Sequence, residues 1–264
     1  MIEYLMEAAR LAGHILREGY GKTQSIEEKG RATDLVTATD KASEAAVRAY
    51  LAKNFPDHAI LGEEEGHSGD KNAEWTWFVD PLDGTTSFAH GVPFFSPCIA
   101  LAKRGEIVAG VVYEPLRDEM FAAESGSGAT LNGQKIVVTE TADLGRALLA
   151  TGFPYRIAEN PNKTLEMFCA VGPHARGIRR MGSAGLDLAY IACGRMDGYW
   201  ETLLQPWDCA AGCLLVREAG GRTSDFKGGT HDIHGLETLA TNGAIHEALM
   251  ERIRIGQDAS FRLP

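Results

Sequence analysis

Trp75-Thr76-Trp77-Phe78-Val79-Asp80-Pro81-Leu82-Asp83-Gly84-Thr85 is the segment from which the rest of the chain is best read. Bulky, β-favouring side chains run from Trp75 to Val79 and then meet Asp80-Pro81, which predicts a strand that breaks into a turn. Asp80 and Asp83 stand three positions apart, with Pro81 fixing the backbone between them and Gly84 permitting an unusual conformation. Both carboxylates then converge on one point. In a partly buried cleft without a basic neighbour they repel each other, and a hard cation is the simplest agent that relieves this. Taken alone, Asp-x-x-Asp-Gly reads better as a plain turn. Its company changes that reading. Glu63, Glu64 and Glu65 follow the apolar Ile60-Leu61-Gly62, and Asp208 opens a helix behind Trp207, backed by Cys209, Ala210, Ala211 and Gly212. Asp40, with Thr37 and Thr39 nearby, has the setting of a helix cap.

Other phosphate chemistries are excluded by spacing. Phosphatases of the haloacid dehalogenase type carry Asp-x-Asp-Gly-Thr with a nucleophilic first Asp, whereas here the position two before Asp83 is Pro81, which cannot serve. Gly126-Ser127-Gly128 precedes a strand rather than a helix, so it is no phosphate-cradling loop. No Gly-x-Ser-x-Gly elbow is present.

The 264 residues carry a formal net charge of −10. That argues against direct nucleic-acid binding, which needs a basic stripe, and implies that cations mediate any contact with phosphate. No run is long and apolar enough to span a membrane. Acids near the N-terminus take the place of the bases of a secretory signal, so cytoplasmic localisation is expected. The five cysteines lack the spacing of a zinc site or disulfide framework and read as small apolar residues. His231 and His234 have too few companions for zinc, and His90 reads as a structural loop histidine.

Upstream, Ile2, Leu5, Met6, Ala9, Ala12 and Leu16 recur at helical spacing, and Gly19 and Gly21 end the pattern. A second helix is predicted over about 40–54, stopped before Pro56. Downstream, runs at 99–102, 107–113, 120–123 and 129–139, the last containing Asn132-Gly133, predict an antiparallel meander. From about residue 146 short strands (147–151, 178–181, 198–201, 239–241) alternate with helices (163–171, 183–193, 208–219, 244–255). The expected organisation is an α+β metal-binding part over 1–142 and an α/β part over 143–264, with a site between them.

These residues resemble the inositol monophosphatase family, of the lithium-sensitive, metal-dependent sugar-phosphatase superfamily. The blocks are Asp34-Leu-Val-Thr-Ala-Thr-Asp40, Gly62-Glu-Glu64, Trp77 to Phe88 with His90-Gly-Val-Pro93, and Trp207-Asp-Cys-Ala-Ala-Gly212 leading to Glu218-Ala-Gly-Gly221. They lie in order and span most of the chain. The resemblance implies an αβαβα sandwich with an antiparallel N-terminal and a mixed C-terminal sheet, usually a homodimer. It implies two or three Mg2+ ions, one held by Glu63, Asp80 and the Leu82 carbonyl and a second by Asp80, Asp83 and Asp208. Glu63 and Thr85 would position the attacking water, with Asp40 supporting Thr85. Gly84 and Thr85 amides, Gly182-Ser183-Ala184 and Glu201, beside Asp83 and Asp208, would contact the substrate. The implied activity is that of a phosphoric monoester hydrolase acting on myo-inositol monophosphate through metal-activated water, without a covalent intermediate. Fructose 1,6-bisphosphate, histidinol phosphate and a 3′-phosphoadenosine nucleotide are alternative substrates on the same core, and a regulatory partner of the transcription machinery is an alternative of another class. Ser87, where the family often has Asn, and Gly185, where it has Ala, are departures that bear on substrate fit.

Overall fold

The N-terminal periodicity becomes helix α1 (Ile2–Gly19), whose buried stripe runs through Leu5, Ala8, Ala9, Ala12, Gly13 and Leu16. The computed structural model describes residues 1–22, 26–28 and 35–259, so Asp34 lies outside it. Strands β1 (Ile26–Glu28) and β2 (Leu35–Thr37) pair antiparallel, and helix α2 (Ala38–Asn54) follows. Its cap is Thr37 rather than Asp40: the Thr37 hydroxyl accepts from the backbone N–H of Thr39 and Asp40, and the Asp40 carboxylate reaches back to the Thr37 N–H at 2.9 Å. This reciprocal pairing satisfies the free amides of the first turn.

Next come β3 (Ala59–Gly62), β4 (Gly66–Ser68), β5 (Trp75–Asp83), the short helix α3 (Thr85–Ala89), β6 (Ser96–Lys103), β7 (Glu106–Glu114), β8 (Glu119–Glu124), β9 (Gly128–Leu131) and β10 (Gln134–Ile136). They form an eight-stranded sheet in the order β10-β9-β8-β7-β6-β5-β3-β4. The expected meander is β6 to β10. Asn132 and Gly133 take φ of 50° and 78° at the last hairpin, as a two-residue turn matched to strand twist demands. Two expectations are corrected. The sheet is antiparallel except where β3 runs parallel to β5. And β5 continues past Pro81: Asp80 lies opposite Cys98 and Asp83 opposite Ser96, so β5 carries one extra residue there. Pro81 has no N–H to give the ladder, and a bulge is where a central strand accommodates that.

The second half supplies β11 (Leu148–Thr151), α4 (Thr164–Val171), β12 (Gly177–Arg179), α5 (Ala184–Ala192), β13 (Gly198–Thr202), α6 (Pro206–Glu218), β14 (Arg222–Ser224), β15 (Glu237–Thr241) and α7 (His246–Asp258). The sheet order is β12-β11-β13-β15-β14, with β11 parallel to its two neighbours and β15 antiparallel to its own, a mixed sheet as expected.

Apolar cores join five layers. Leu5, Ala12, Val47 and Leu51 of α1 and α2 pack on Trp77, Ile99 and Val111. Leu186, Ile191, Cys213 and Leu214 of α5 and α6 lie with Phe78, Phe121 and Ala240, between the two sheets. Met167, Val171, Leu249 and Ile253 of α4 and α7 cover Leu149, Trp200 and Leu239. The alternation along β5 follows the pleat, Trp77 and Val79 facing α1 and α2, Phe78 facing the middle helices. Sheets on both sides explain why α6 is apolar all round and why its neighbours are small: a Cβ on Gly110 would stand 2.8 Å from Ala211 Cα. Cys98, Cys209 and Cys213 are buried as expected, but Cys169 is exposed.

Candidate active site

The bulge of β5 delivers Asp80 and Asp83 to one end of the middle layer, and Glu63 follows β3, its N–H bonded to the Val79 carbonyl at 3.1 Å. Gly84 has φ of 98°, and a Cβ there would approach the Phe94 carbonyl to 2.9 Å and that of Gly182 to 3.2 Å. Only glycine fits this tight turn into α3. Asp83 is clamped from the other half: Ser183 Oγ donates to its Oδ2 at 2.6 Å, and the N–H groups of Ala184 and Gly185 donate to its two oxygens at 3.2 and 2.7 Å. The start of α5 thus spends its free amides on a carboxylate of β5. Asp208 sits in the first turn of α6 and takes the Gln205 N–H at 2.7 Å.

A cleft of about 280 Å³ gathers these groups. Glu63, Asp80, Leu82, Asp83, Gly84 and Thr85 form one wall; Gly182, Ser183, Ala184, Glu201 and Asp208 form the other. Asp40 does not line the cleft. It stands behind Thr85, whose Oγ1 lies 3.0 Å from the Leu82 carbonyl and 3.2 Å from Asp40 Oδ1, so that one proton is shared between them. Of Arg179-Arg180, only Arg180 reaches the cleft. His90 is exposed and ends α3 through its backbone N–H. His231, expected in a solvated loop, instead has Nε2 3.1 Å from Thr238 Oγ1.

The electrostatics are those of crowded acids. Burial, then the charges of Glu63, Asp83 and Asp208, raise Asp80 well above the usual carboxylate range. Burial and then Glu63 do the same to Asp208. Burial pushes Asp83 up to about 6 against the opposing pull of the α5 hydrogen bonds. Such a cluster fits hard divalent cations, whose charge restores the ionised form of each oxygen ligand. Among the described residues no group of three or more His, Cys, Asp or Glu side chains forms a finished cation cage. Asp80, Asp83 and Asp208 each accept from backbone amides, Asp80 Oδ1 from the Leu82 N–H at 2.9 Å.

Some residues that shape the site escape the sequence. Glu44 of α2, fully buried, accepts from Arg48 Nε at 2.7 Å and from the N–H groups of Glu64 and Glu65 at 2.7 and 3.0 Å. It pins the turn that carries Glu63, and Gly62 is obligatory beside it, since a Cβ would come 2.3 Å from Glu44 Oε1. Gly185, read as a departure, meets a similar demand: a Cβ there would stand 2.2 Å from Cys98 Sγ. A Gly beside an acid was the available signal in the first case; in the second nothing in the sequence marked the contact.

Residues 1–257 match the family model described as the Inositol monophosphatase family. An inositol-1-monophosphatase from Synechocystis sp. is 44% identical over 252 residues, covering 96% of this chain and 88% of that protein. Nus factor SuhB from Pseudomonas aeruginosa is 43% identical over 260 residues, covering 96% of each. The crystal structure of the extragenic suppressor protein suhB from Bartonella henselae superposes with a TM-score of 0.91 at 40% identity, over 96% of this chain and 97% of that one.

Proposed function

The chain belongs to the inositol monophosphatase family and is a phosphatase, and on that basis we propose that it hydrolyses small phosphate monoesters with magnesium, myo-inositol monophosphate first among them. The observation that carries the reading is one cleft lined by six acids, five of them with raised proton affinity. Glu63, Asp80 and the Leu82 carbonyl would hold one ion, and Asp80, Asp83 and Asp208 a second. Bound magnesium supplies neutralisation of phosphate oxygens, activation of water and stabilisation of the leaving alkoxide.

The chain's own groups do the positioning. Glu63 and Thr85 Oγ1 orient the attacking water, and Asp40 fixes the Thr85 hydroxyl. Gly84 and Thr85 amides receive the phosphate, which Ser183 and Ala184 flank. Glu201, whose Oε2 already accepts the Tyr199 hydroxyl, is left to take a substrate hydroxyl on its other oxygen. On this reading water, not a side chain, attacks phosphorus, and no covalent phosphoenzyme forms.

A phosphate-release panel of inositol, fructose 1,6-bis-, histidinol and 3′-phosphoadenosine phosphates, with and without Mg2+, tests this. The inositol ester should turn over fastest, and lithium at fixed magnesium should inhibit. Release that ignores Mg2+ rejects the ligand assignment. Relatives named Nus factor support a second reading, a protein partner in transcription. Pull-down with intact and Asp80→Asn chains tests it, capture of transcription proteins by both favouring it. No helix among the described residues is long and apolar enough to cross a membrane, and we place the enzyme in the cytoplasm as a homodimer.

A further inference from the structure

Asp187 has no role in the mechanism above. It stands in the first turn of α5, four residues after the capping Ser183, and a helical side chain leans toward its own N-terminus, here the cleft. The residue is 1% exposed and lines the cleft together with Glu201, yet its Oδ1 has no hydrogen-bond partner. Its charged surroundings are the acids Asp83 and Glu201, countered by the exposed Arg180 guanidinium. An unpartnered buried carboxyl is costly, so a chain that keeps one invites a ligand as the explanation.

We propose that Asp187 and Glu201 together form a hydroxyl-recognition subsite, the Asp187 carboxylate accepting a hydrogen bond from the hydroxyl adjacent to the one that Glu201 takes. The inference rests on the phosphatase reading and adds to it a second side chain, Asp187, that selects among the hydroxyls of the ring. Two neighbouring acceptors complement two neighbouring donors, whereas an aryl phosphate offers none. The same acids repel phosphate, so the ester enters with its phosphate toward Gly84 and Thr85 and its ring toward this wall. A site built to bond hydroxyls rejects an analogue lacking one, because the buried acceptor is then left bare.

The test measures kcat/KM of the Mg2+-loaded wild type, Asp187→Leu and Asp187→Ala, neither of which keeps an acceptor. The substrates are a cyclitol monophosphate, its singly deoxygenated analogues, an aryl phosphate and 2-aminoethyl phosphate. In the wild type, removal of one particular ring hydroxyl should cost at least tenfold. Both variants should lose at least tenfold more on the cyclitol ester than on the aryl ester, and should no longer distinguish that deoxy analogue. Their melting temperatures should equal or exceed the wild type's. A uniform loss across all esters with lower melting, or no loss at all, overturns the inference. A larger loss on 2-aminoethyl phosphate overturns it in favour of an ammonium site. A wild type that releases phosphate from no ester overturns the phosphatase reading as well, whereas one that does so without these differences overturns this inference alone.

Discussion

Asp80 concentrates the conflict between stability and chemistry in a single side chain. It is 2% exposed, and burial with three acidic neighbours favours its neutral form. Asp80→Asn removes the repulsion while keeping the shape, so it should raise the melting temperature without Mg2+ and lower turnover at saturating Mg2+ by about 100-fold or more. Calorimetry and phosphate release check the two halves; near-normal turnover would reject Asp80 as a ligand. Glu201 makes a second case. Burial pushes it from 4.5 up to about 7. Between those values the unfolded chain has lost the proton that the fold still holds, so stability falls as pH rises, and the full cost is present above pH 7. Glu201→Gln should therefore stabilise by about 1–3 kcal/mol at pH 8 and by little at pH 4, as denaturant melts at the two pH values will show. Glu63, Asp80, Asp83, Glu201 and Asp208 were legible in the sequence because each follows an apolar run or opens a helix. Asp187 and Glu44 were not, because what marks them is a missing partner in one case and distant amides in the other, and neither leaves a local pattern.

Elements were legible where period and punctuation agreed. The three-and-four spacing of α1, the Asn132-Gly133 hairpin and the alternation of strand and helix after β11 all appear close to their expected places. The parallel pairing of β3 with β5 was hidden, because register between strands so close in sequence depends on α2 and the loop before β5 rather than on either strand. Pro81 misled in a specific way: it signals a break, and a bulge absorbs it. The contact of α5 with β5 and β6 shows how finely such junctions are fitted. Gly185→Ala would drive a methyl into Cys98 Sγ and crowd Asp83 Oδ2, 3.1 Å from the same Cβ. We expect a loss of about 1–3 kcal/mol from overpacking and a raised Mg2+ requirement, with Gly185→Ala/Cys98→Ala recovering most of the stability. An unchanged melting temperature in the single variant would show that α5 shifts freely.

At the scale of the whole molecule, the cleft draws its walls from both sheets, and α5 and α6 lie between them as a shared layer. Chains of this length populate intermediates in which layers form before they dock. Refolding from denaturant with Mg2+ should therefore restore helical circular dichroism before phosphatase activity, and simultaneous recovery would contradict this order. The motifs and their spacing foretold a phosphatase, but not where its layers meet. The clamp on Asp83 carries this one step further. Its acceptor belongs to the first half of the chain and all three of its donors to the second. Cut near residue 142, the polypeptide yields two fragments that each own half of a catalytic cleft. Neither should release phosphate alone, and the rate at which mixed fragments regain turnover would assay their reunion; activity in a single fragment would contradict this.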